Sequence, residues 1–288
     1  MSRGLALALA VALGAPVSAR AEERIRVLVR AEPETVEELS LEEYVAGVVS
    51  GEMPASFPTE ALKAQAVAAR SYALTRKIEA QAAGRRWDIG AGVLAQVFHG
   101  GAPKPAARAA VEATAGEVLT LGMEPVEAYF HAVCGGTTEA GLAALGRDLP
   151  YLAPVECGKC NGAPGARWTV RVEARALAAA AGLGGAATAA RVAARTGTGR
   201  AAQVEVTAGA RRATVAAAEL RRALGYAKLP SLAFDVRLDG GAFVFAGRGQ
   251  GHGAGLCQWG AAAMAREGKG YREILLHYYP GTEVVRMY

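Results

Sequence analysis

The sequence predicts an α+β fold, in which helices and short strands are mixed without regular alternation. Segments with apolar residues at every second position, typical of strands, are interspersed with segments of helical period. The regular strand–helix alternation of a parallel α/β fold is missing, and so is a repeat of the solenoid type. With 288 residues, the chain is long enough for one large domain or two small ones with an ample core.

Local patterns predict the individual elements in order. Residues 24–29 alternate as a strand, and residues 33–39 form a polar connection. A helix, a break at Pro54 and a long Ala-rich helix follow, up to about residue 83. Further elements are predicted as strands at 93–98, 117–121, 125–130 and 204–206 and as helices at 106–113, 175–181 and 216–224.

The segment 165–240 differs in character from its surroundings. It combines Ala-rich helical stretches with Gly-containing turns, and Gly/Pro residues at its start and Gly240-Gly241 at its end mark boundaries. We therefore expect a smaller lobe here, inserted into a larger domain that covers residues 22–288.

The first 21 residues have the features of an export signal. Arg3 precedes an apolar run at 5–13, and small residues follow up to Ala21, where cleavage is expected. The run is too short to span a membrane, and no later segment predicts a transmembrane helix. Cleavage lowers the formal net charge from +5 to +3, which is too mild to indicate a nucleic-acid partner but suits an anionic cell-wall polymer. The mature protein is expected in the periplasm, in the cell wall or outside the cell.

Glu52 continues an apolar helical stripe. The helix before it begins with the capping-box pattern S-x-x-E at Ser40, and Leu41, Val45 and Val48 follow at the period of a buried face. Four residues further on, the same face carries Glu52. Burial disfavours a charged carboxylate, so the pattern predicts a raised pKa, which suits a general acid. The alternative is a helix-terminal Glu that turns into solvent after the break.

Two long motifs resemble the signatures of the stage II sporulation protein D family (SpoIID/LytB). The first is GEMPASFPTEALKAQAVAARSYALTR at 51–76, and the second is GRGQGHGAGLCQWGAAAMAREGKGYREILLHYYPG at 247–281. Shorter motifs between residues 128 and 152, among them Ala-Tyr, CGGTTE and Pro-Tyr-Leu, match the middle of that family. The resemblance spans nearly all of residues 25–284.

The resemblance implies that Glu52 is the catalytic acid of a peptidoglycan lytic transglycosylase. Ordinary glycosidases use two carboxylates, whereas the resemblance implies that the muramyl C6 hydroxyl of the substrate attacks the anomeric carbon. One acid then suffices and no cofactor is needed, and the expected substrate is a glycan strand stripped of its stem peptides. Four other acids remain alternatives as a second carboxylate: Glu60, Asp88, Glu139 and Asp148.

Six residues in or near the two signatures are predicted to bind substrate: Lys63, Arg70, Tyr72, His252, Gln258 and Trp259. Arg70 and Tyr72 could orient Glu52 or bind a sugar carboxyl group, and surface salt bridges are the alternative for the basic residues. His252 lies between glycines, which allow close approach of the backbone to a ligand. Its alternative role is to cap a carbonyl in a tight turn.

The cysteines predict a metal site or a disulfide, or they are simply buried cysteines. His131 and Cys134 have H-x2-C spacing, and Cys157 and Cys160 have C-x2-C spacing, which together suit a structural zinc with four protein ligands. An oxidising compartment makes a Cys134–Cys157 or Cys157–Cys160 disulfide a competitor. Cys257 is left over; it could replace His131 as the fourth ligand or stay reduced in the core.

Two other functions remain open from the sequence. The LytB side of the family implies a non-catalytic wall-binding protein that stimulates a partner amidase, or works with division or sporulation proteins. A zinc hydrolase that uses the cysteine cluster is the other alternative, although a sulfur-rich ligand set favours a closed structural site.

Overall fold

The computed structural model of the protein describes residues 22–90, 96, 98 and 101–288. The predicted signal peptide at 1–21 and most of the predicted strand at 93–98 lie outside these residues.

The described helices are α1 (Leu41–Glu52), α2 (Thr59–Ala82), α3 (Pro105–Ala113), α4 (Gly141–Leu145), α5 (Ala174–Ala180), α6 (Ala217–Leu224), α7 (Gln258–Arg266) and α8 (Tyr271–Tyr278). The described strands are β1 (Arg24–Arg30), β2 (Thr35–Ser40), β3 (Ile89–Gly90), β4 (Glu117–Leu121), β5 (Glu124–Pro125), β6 (Phe130–His131), β7 (Arg167–Glu173), β8 (Ala189–Arg195), β9 (Ala201–Ala208), β10 (Arg211–Ala216), β11 (Phe234–Asp239), β12 (Ala242–Arg248), β13 (Leu256–Cys257) and β14 (Glu283–Arg286). This irregular mixture confirms the α+β class.

The first hydrophobic core is built around α2. Nearly every residue of this helix from Ala61 to Leu74 is buried. The small Ala side chains let α1, α3, α7 and α8 pack closely against α2. Small sheets surround the helices: β1 pairs with β2 and β3, β4 pairs with β5 and β14, and β6 pairs with β13 in parallel. Helices from the two ends of the chain therefore meet at α2.

Helix α1 begins and ends where the sequence predicts. The Ser40 Oγ accepts the backbone N–H of Glu43 at 3.1 Å, which is half of the predicted capping box. The helix ends at Glu52, just before the break at Pro54. The predicted apolar stripe is fully buried: Leu41, Val45 and Val48.

The second hydrophobic core lies between two antiparallel sheets, ordered β10-β9-β8 and β11-β12-β7, and the helices α5 and α6. Its buried residues fall between Val172 and Phe245. Gly240-Gly241 forms the turn from β11 to β12, with φ values of 55° and 77°. Two successive residues of positive φ suit the twist of a hairpin. The sheet therefore continues past residue 240, where the sequence predicts the end of the lobe.

Two expectations about strands differ from the structure. Part of the predicted connection at 33–39 is strand β2, which supplies the antiparallel partner of β1. The strand predicted at 125–130 is interrupted between β5 and β6. There, the N–H of Ala128 bonds to the carbonyl of Val126 at 2.8 Å, a tight i→i+2 turn that cannot continue a ladder.

Among the residues that the structure describes, no helix combines the length and the apolar character needed to cross a membrane.

Candidate active site and cysteine cluster

Glu52 lies where α1, α2 and α7 meet. It is the last residue of α1, and its side chain is half-buried. The Gln258 Nε2, at the start of α7, donates to the Glu52 Oε2 at 3.5 Å and to the Oε1 of Gln65, on α2, at 3.2 Å. Gln258 thus links the predicted acid to the central helix, although the two residues are 206 positions apart in the sequence.

Tyr44 lies close enough to Glu52 for the charge of the carboxylate to affect the pKa of the Tyr44 hydroxyl. Burial is the main cause that raises the pKa of Tyr44 well above its ordinary value, and the charge of the Glu52 carboxylate adds to this effect. The Tyr44 hydroxyl and the Gln65 Nε2 are both buried and have no hydrogen-bond partner among the described residues. Buried polar groups without partners are rare and often mark functional sites. Sequence reasoning missed both residues, since Tyr44 resembles core packing and Gln65 an ordinary helix residue.

Trp259 forms an aromatic pair with Phe57. The two ring centroids are 4.9 Å apart and meet edge to face. Phe57 is buried in the loop between α1 and α2, whereas Trp259 is half-buried. Because Trp259 follows Gln258 directly in the sequence, this aromatic pair lies close to the helix junction, and its substrate role stays a prediction.

A row of rings connects Tyr72 with His252. Ring centroids are 5.2 Å apart for Tyr72 and Tyr129, 6.0 Å for Tyr129 and His252, and 5.5 Å for His252 and His131. Tyr129 is half-buried and was not singled out from the sequence, although it lies in one of the short matching motifs. The row thus contains three residues singled out from the sequence, Tyr72, His252 and His131, and one that was missed.

His252 is held as a neutral imidazole. The N–H of Ala254 donates to its Nδ1 at 3.1 Å, so the proton lies on Nε2, which donates to the carbonyl of Phe130 at 2.8 Å. Burial lowers the pKa of His252 from 6.5 to about 4, against the opposing effect of the Phe130 carbonyl. The carbonyl bond agrees with the structural alternative named above, and a contact with substrate stays a prediction.

The structure gives Arg70 a different partner from the predicted one. Its guanidinium forms a two-pronged pair with Glu42, at 2.9 and 2.6 Å, and donates to the carbonyl of Glu117 at 3.0 Å. Because Arg70 is fully buried, it cannot touch a sugar that arrives from solvent. It joins α2 to α1 and β4 instead.

Lys63 and Tyr72 differ in their surroundings. The Lys63 Nζ donates to the Oε1 of Glu60 at 2.7 Å and lies 5.7 Å from the ring centroid of Tyr271. Tyr72 is buried, and the guanidinium of Arg76 lies 5.0 Å from its ring centroid. Lys63 thus has the local salt bridge that was its alternative role, whereas Tyr72 belongs to the row of rings.

Three of the four alternative acids are committed to other contacts. Glu60 pairs with Lys63, and Asp88 is buried against Arg26 at 2.6 Å. Glu139 is buried and accepts hydrogen bonds from the hydroxyls of Thr196 and Thr198. Asp148 is exposed. The described structure thus gives none of these acids a setting like that of Glu52.

Four buried cysteines form a compact cluster. The sulfur atoms of Cys134, Cys157, Cys160 and Cys257 all lie within 4.8 Å of one another, and all four cysteines are unbridged. The backbone N–H of Cys134 donates to the Cys257 Sγ at 3.3 Å, and that of Gly136 donates to the Cys134 Sγ at 3.4 Å. Four sulfur ligands this close together, with backbone N–H groups donating to the sulfur atoms, suit zinc.

Cys257, and not His131, completes the cluster. The two residues are direct partners in the parallel pairing of β6 with β13. The His131 Nδ1 donates to the carbonyl of Ala254 at 3.0 Å, and its buried Nε2 has no partner among the described residues. The alternative in which Cys257 replaces His131 is thus the one that this geometry favours.

The packing around the cluster leaves no room for a larger side chain at Gly260. A Cβ atom there would lie 2.6 Å from the Cys157 sulfur and 2.1 Å from the Tyr278 hydroxyl oxygen. That hydroxyl lies 3.2 Å from the same sulfur. Helices α7 and α8 therefore form one wall of the cluster.

Comparison with known proteins gives two matching family models. The model described as Stage II sporulation protein matches residues 30–121, which include Glu52. A domain of unknown function (DUF8618) matches residues 167–255, which include the second core and His252.

Relatives match most of the chain. An amidase enhancer of Bacillus subtilis strain 168 is 28% identical over 288 residues, which cover 82% of this chain and 39% of that protein. An uncharacterised protein of Brachyspira hyodysenteriae is 32% identical over 262 residues, covering 87% and 68%. Stage II sporulation protein D of B. subtilis strain 168 is 33% identical over 267 residues, covering 87% and 76%. The chain therefore belongs to the stage II sporulation protein D family, as its motifs predict.

Proposed function

We propose that this protein is an exported peptidoglycan lytic transglycosylase. It would cleave the bond between MurNAc and GlcNAc in glycan strands and leave 1,6-anhydro-MurNAc ends, and peptide-stripped strands are the expected substrate. The observation that carries the proposal is the half-buried carboxyl group of Glu52 at the junction of three helices, bonded to Gln258. Family membership supports a role in the cell wall, and the sporulation protein among the relatives supports the same setting.

The proposed reaction needs one acid–base group. Protonated Glu52 gives its proton to the glycosidic oxygen while the bond from that oxygen to the muramyl C1 breaks. The muramyl C6 hydroxyl forms the new bond to C1 and gives its proton to the Glu52 carboxylate. The acid is thereby restored, and no water is consumed. Phe57 and Trp259 supply the apolar flank on which a sugar ring could rest.

The products test this proposal directly. Purified glycan strands without peptides are digested with the protein, and the new muramyl ends are analysed by mass spectrometry. Anhydro ends, which are lighter than reducing ends by one water, are expected. Reducing ends would mean hydrolysis and would require a second carboxylate or an activated water.

We further propose that the cysteine cluster holds one structural zinc ion. Cys134, Cys157, Cys160 and Cys257 would supply all four ligands, so the ion would have no open position for a substrate. Zinc would tie the segment from Cys134 to Cys160 to the second signature at Cys257, and catalysis would not use it. This arrangement speaks against the zinc-hydrolase alternative.

The amidase enhancer among the relatives favours one second candidate function. A protein of this kind would bind the wall and stimulate a partner amidase without cutting glycan itself. The two functions differ in the need for the Glu52 carboxyl group. A pure enhancer would keep its effect on an amidase after Glu52→Gln, whereas a transglycosylase would lose cleavage.

A further inference from the structure

A cationic cleft lies at one end of the sheet β11-β12-β7. Its volume is about 470 Å³, within the range of about 300–1,000 Å³ that is usual for small-molecule sites. Arg167, Arg195 and Arg248 line it together with Trp168, Phe234 and Asp235. All of these residues fall within the segment that matches the domain of unknown function.

Two of the arginines are direct cross-strand neighbours. Arg167 on β7 pairs in register with Arg248 on β12. Both are exposed, and neither forms an ion pair with a carboxylate in the described part of the chain. Like charges directly opposite each other destabilise a sheet. The Arg167–Arg248 pair therefore does not stabilise the sheet.

The other end of the same sheet shows how such charge is normally compensated. Arg171 on β7 and Arg237 on β11 lie in register with Val244, one on each side of the central strand. Both pair with Asp239, at 3.4 and 3.1 Å. Among the described residues, the cleft end offers Arg167 and Arg248 no equivalent carboxylate, because Asp235, the acid that lines the cleft, pairs with Arg195.

The Arg195 side chain, which lines the cleft, is held in place by hydrogen bonds to the backbone. Its Nη1 donates to the carbonyl oxygen of Gly199 at 2.8 Å and to that of Phe234 at 3.3 Å. With Arg195 held in this way, an anion that enters the cleft would meet the guanidinium groups of Arg167 and Arg248. The planar fork of donors on each guanidinium matches a carboxylate.

We propose that this cleft binds a carboxylate-bearing sugar of the glycan strand, apart from the site of bond cleavage. The proposal rests on the proposed function for the identity of the strand, in which a peptide-free muramyl residue carries a lactyl carboxylate. The segment 249–258 leads from Arg248 to Gln258, the partner of Glu52, so one stretch of chain joins both sites. The cleft would select strands by charge and hold them for cleavage at Glu52.

Binding to two forms of one glycan tests this proposal. Peptide-free strands are compared with the same strands after carbodiimide coupling to methylamine, which neutralises the carboxylates. Full-length Glu52→Gln protein is used so that strands are not cut. The Glu52→Gln protein should bind the untreated strands more tightly than the neutralised strands. Adding the substitutions Arg167→Gln and Arg248→Gln should weaken binding to the untreated strands by about tenfold or more. The added substitutions should not lower the melting temperature, because they remove a like-charge pair.

Arg237→Gln in the Glu52→Gln background is the matched control, since it removes an exposed arginine from the same sheet; binding should be unchanged. Any of three results would overturn the proposal. The arginine-pair variant could bind untreated strands as tightly as the Glu52→Gln protein, or the Arg237→Gln control could lose as much affinity as the arginine-pair variant. The Glu52→Gln protein could also bind neutralised and untreated strands with the same affinity. Cleavage of untreated strands by the wild-type protein is measured separately. Its absence would refute the proposed enzyme without bearing on recognition by the cleft.

Discussion

At the scale of single residues, the environment of Glu52 decides its chemistry. The Gln258 Nε2 lies 3.5 Å from the Glu52 Oε2 and donates to the Gln65 Oε1 at 3.2 Å, so one amide group links the carboxyl group to α2. The apolar stripe on α1 predicts where the acid lies, and this part of the site follows from the sequence. The raised pKa expected for Glu52 stays a prediction, which a pH–rate profile can measure.

Glu52→Gln should keep the fold and the binding of glycan but remove cleavage. Gln has nearly the same shape and cannot transfer a proton, so the rate should fall by about a hundredfold or more. Release of muramyl ends from purified strands measures the effect. Glu43→Gln, at an exposed position of the same helix, is the control and should cleave normally. Near-normal turnover by the Glu52 variant would remove Glu52 from the mechanism.

His252 should make stability depend on pH in acid. Its pKa is about 4 in the folded protein and 6.5 in the unfolded chain, so the unfolded chain takes up the proton first. The stabilising contribution of the neutral ring is therefore complete above pH 6.5 and is lost as pH falls towards 4. Melting curves across this range should show a smaller decline for His252→Gln than for the wild type. An identical decline in both proteins would show that His252 does not cause it.

At the scale of elements, the helices were easier to predict than the strands. Helices α1 and α2 carry local signals, such as the Ser40 cap and the break at Pro54. Strand β2 was missed because its sequence is polar and its stability comes from pairing with β1. Pairing of β6 with β13 joins positions more than a hundred residues apart, which local patterns cannot show.

The same long-range pairing explains why the observed sulfur cluster differs from the ligand set that spacing predicts. H-x2-C spacing favours His131, whereas the fold brings Cys257 to the other three sulfurs. Spacing along the chain brings Cys157 and Cys160 together, and both lie in the sulfur cluster. It contains no information on a residue that arrives with a different strand.

Elemental analysis of variants should identify the fourth ligand. The wild-type protein should contain one zinc per chain, Cys257→Ser should lose most of it, and His131→Gln should retain it. Chelation should lower the melting temperature by roughly 10 °C or more, because binding of the ion also stabilises the fold. Activity should persist in the chelated protein at temperatures where it stays folded.

The opposite pattern, with zinc lost in the His131 variant and kept in the Cys257 variant, would restore the ligand set indicated by spacing. A protein without zinc and with paired cysteines in a thiol titration would assign the cluster to disulfides. Activity lost on chelation without any loss of stability would support the zinc hydrolase.

At the scale of the whole molecule, a buried ionic network joins the two cores. Arg200, just before β9, lies 3.7 Å from the carboxylate of Glu139. It also donates to the carbonyl oxygens of Cys134 and Thr137, at 2.7 and 2.8 Å. We propose that the second core forms the inserted lobe and that Arg200 anchors it beside the cysteine cluster.

Arg200→Ala should destabilise the protein by about 3–5 kcal/mol, because it leaves the buried Glu139 carboxylate without its cation. Urea unfolding at neutral pH measures the change. Arg212→Ala removes an exposed arginine that lies 3.8 Å from Glu205, and it should cost less than about 1 kcal/mol. Similar stability of both variants would show that the network does not hold the cores together.

The proximity of Cys160 and Cys257 has a consequence for how the segment between them can vary in sequence. The sulfur atoms of these residues lie within 4.8 Å of each other, yet the chain between them includes the whole second core and the cationic cleft. An insert whose ends lie close together can be exchanged with little effect on its host, as in domain insertion and circular permutation. A zinc ion at this point would clamp both ends of the insert. We infer that recognition of the wall could diversify within the segment between the two cysteines, while the acid at Glu52, which lies outside that segment, keeps its place.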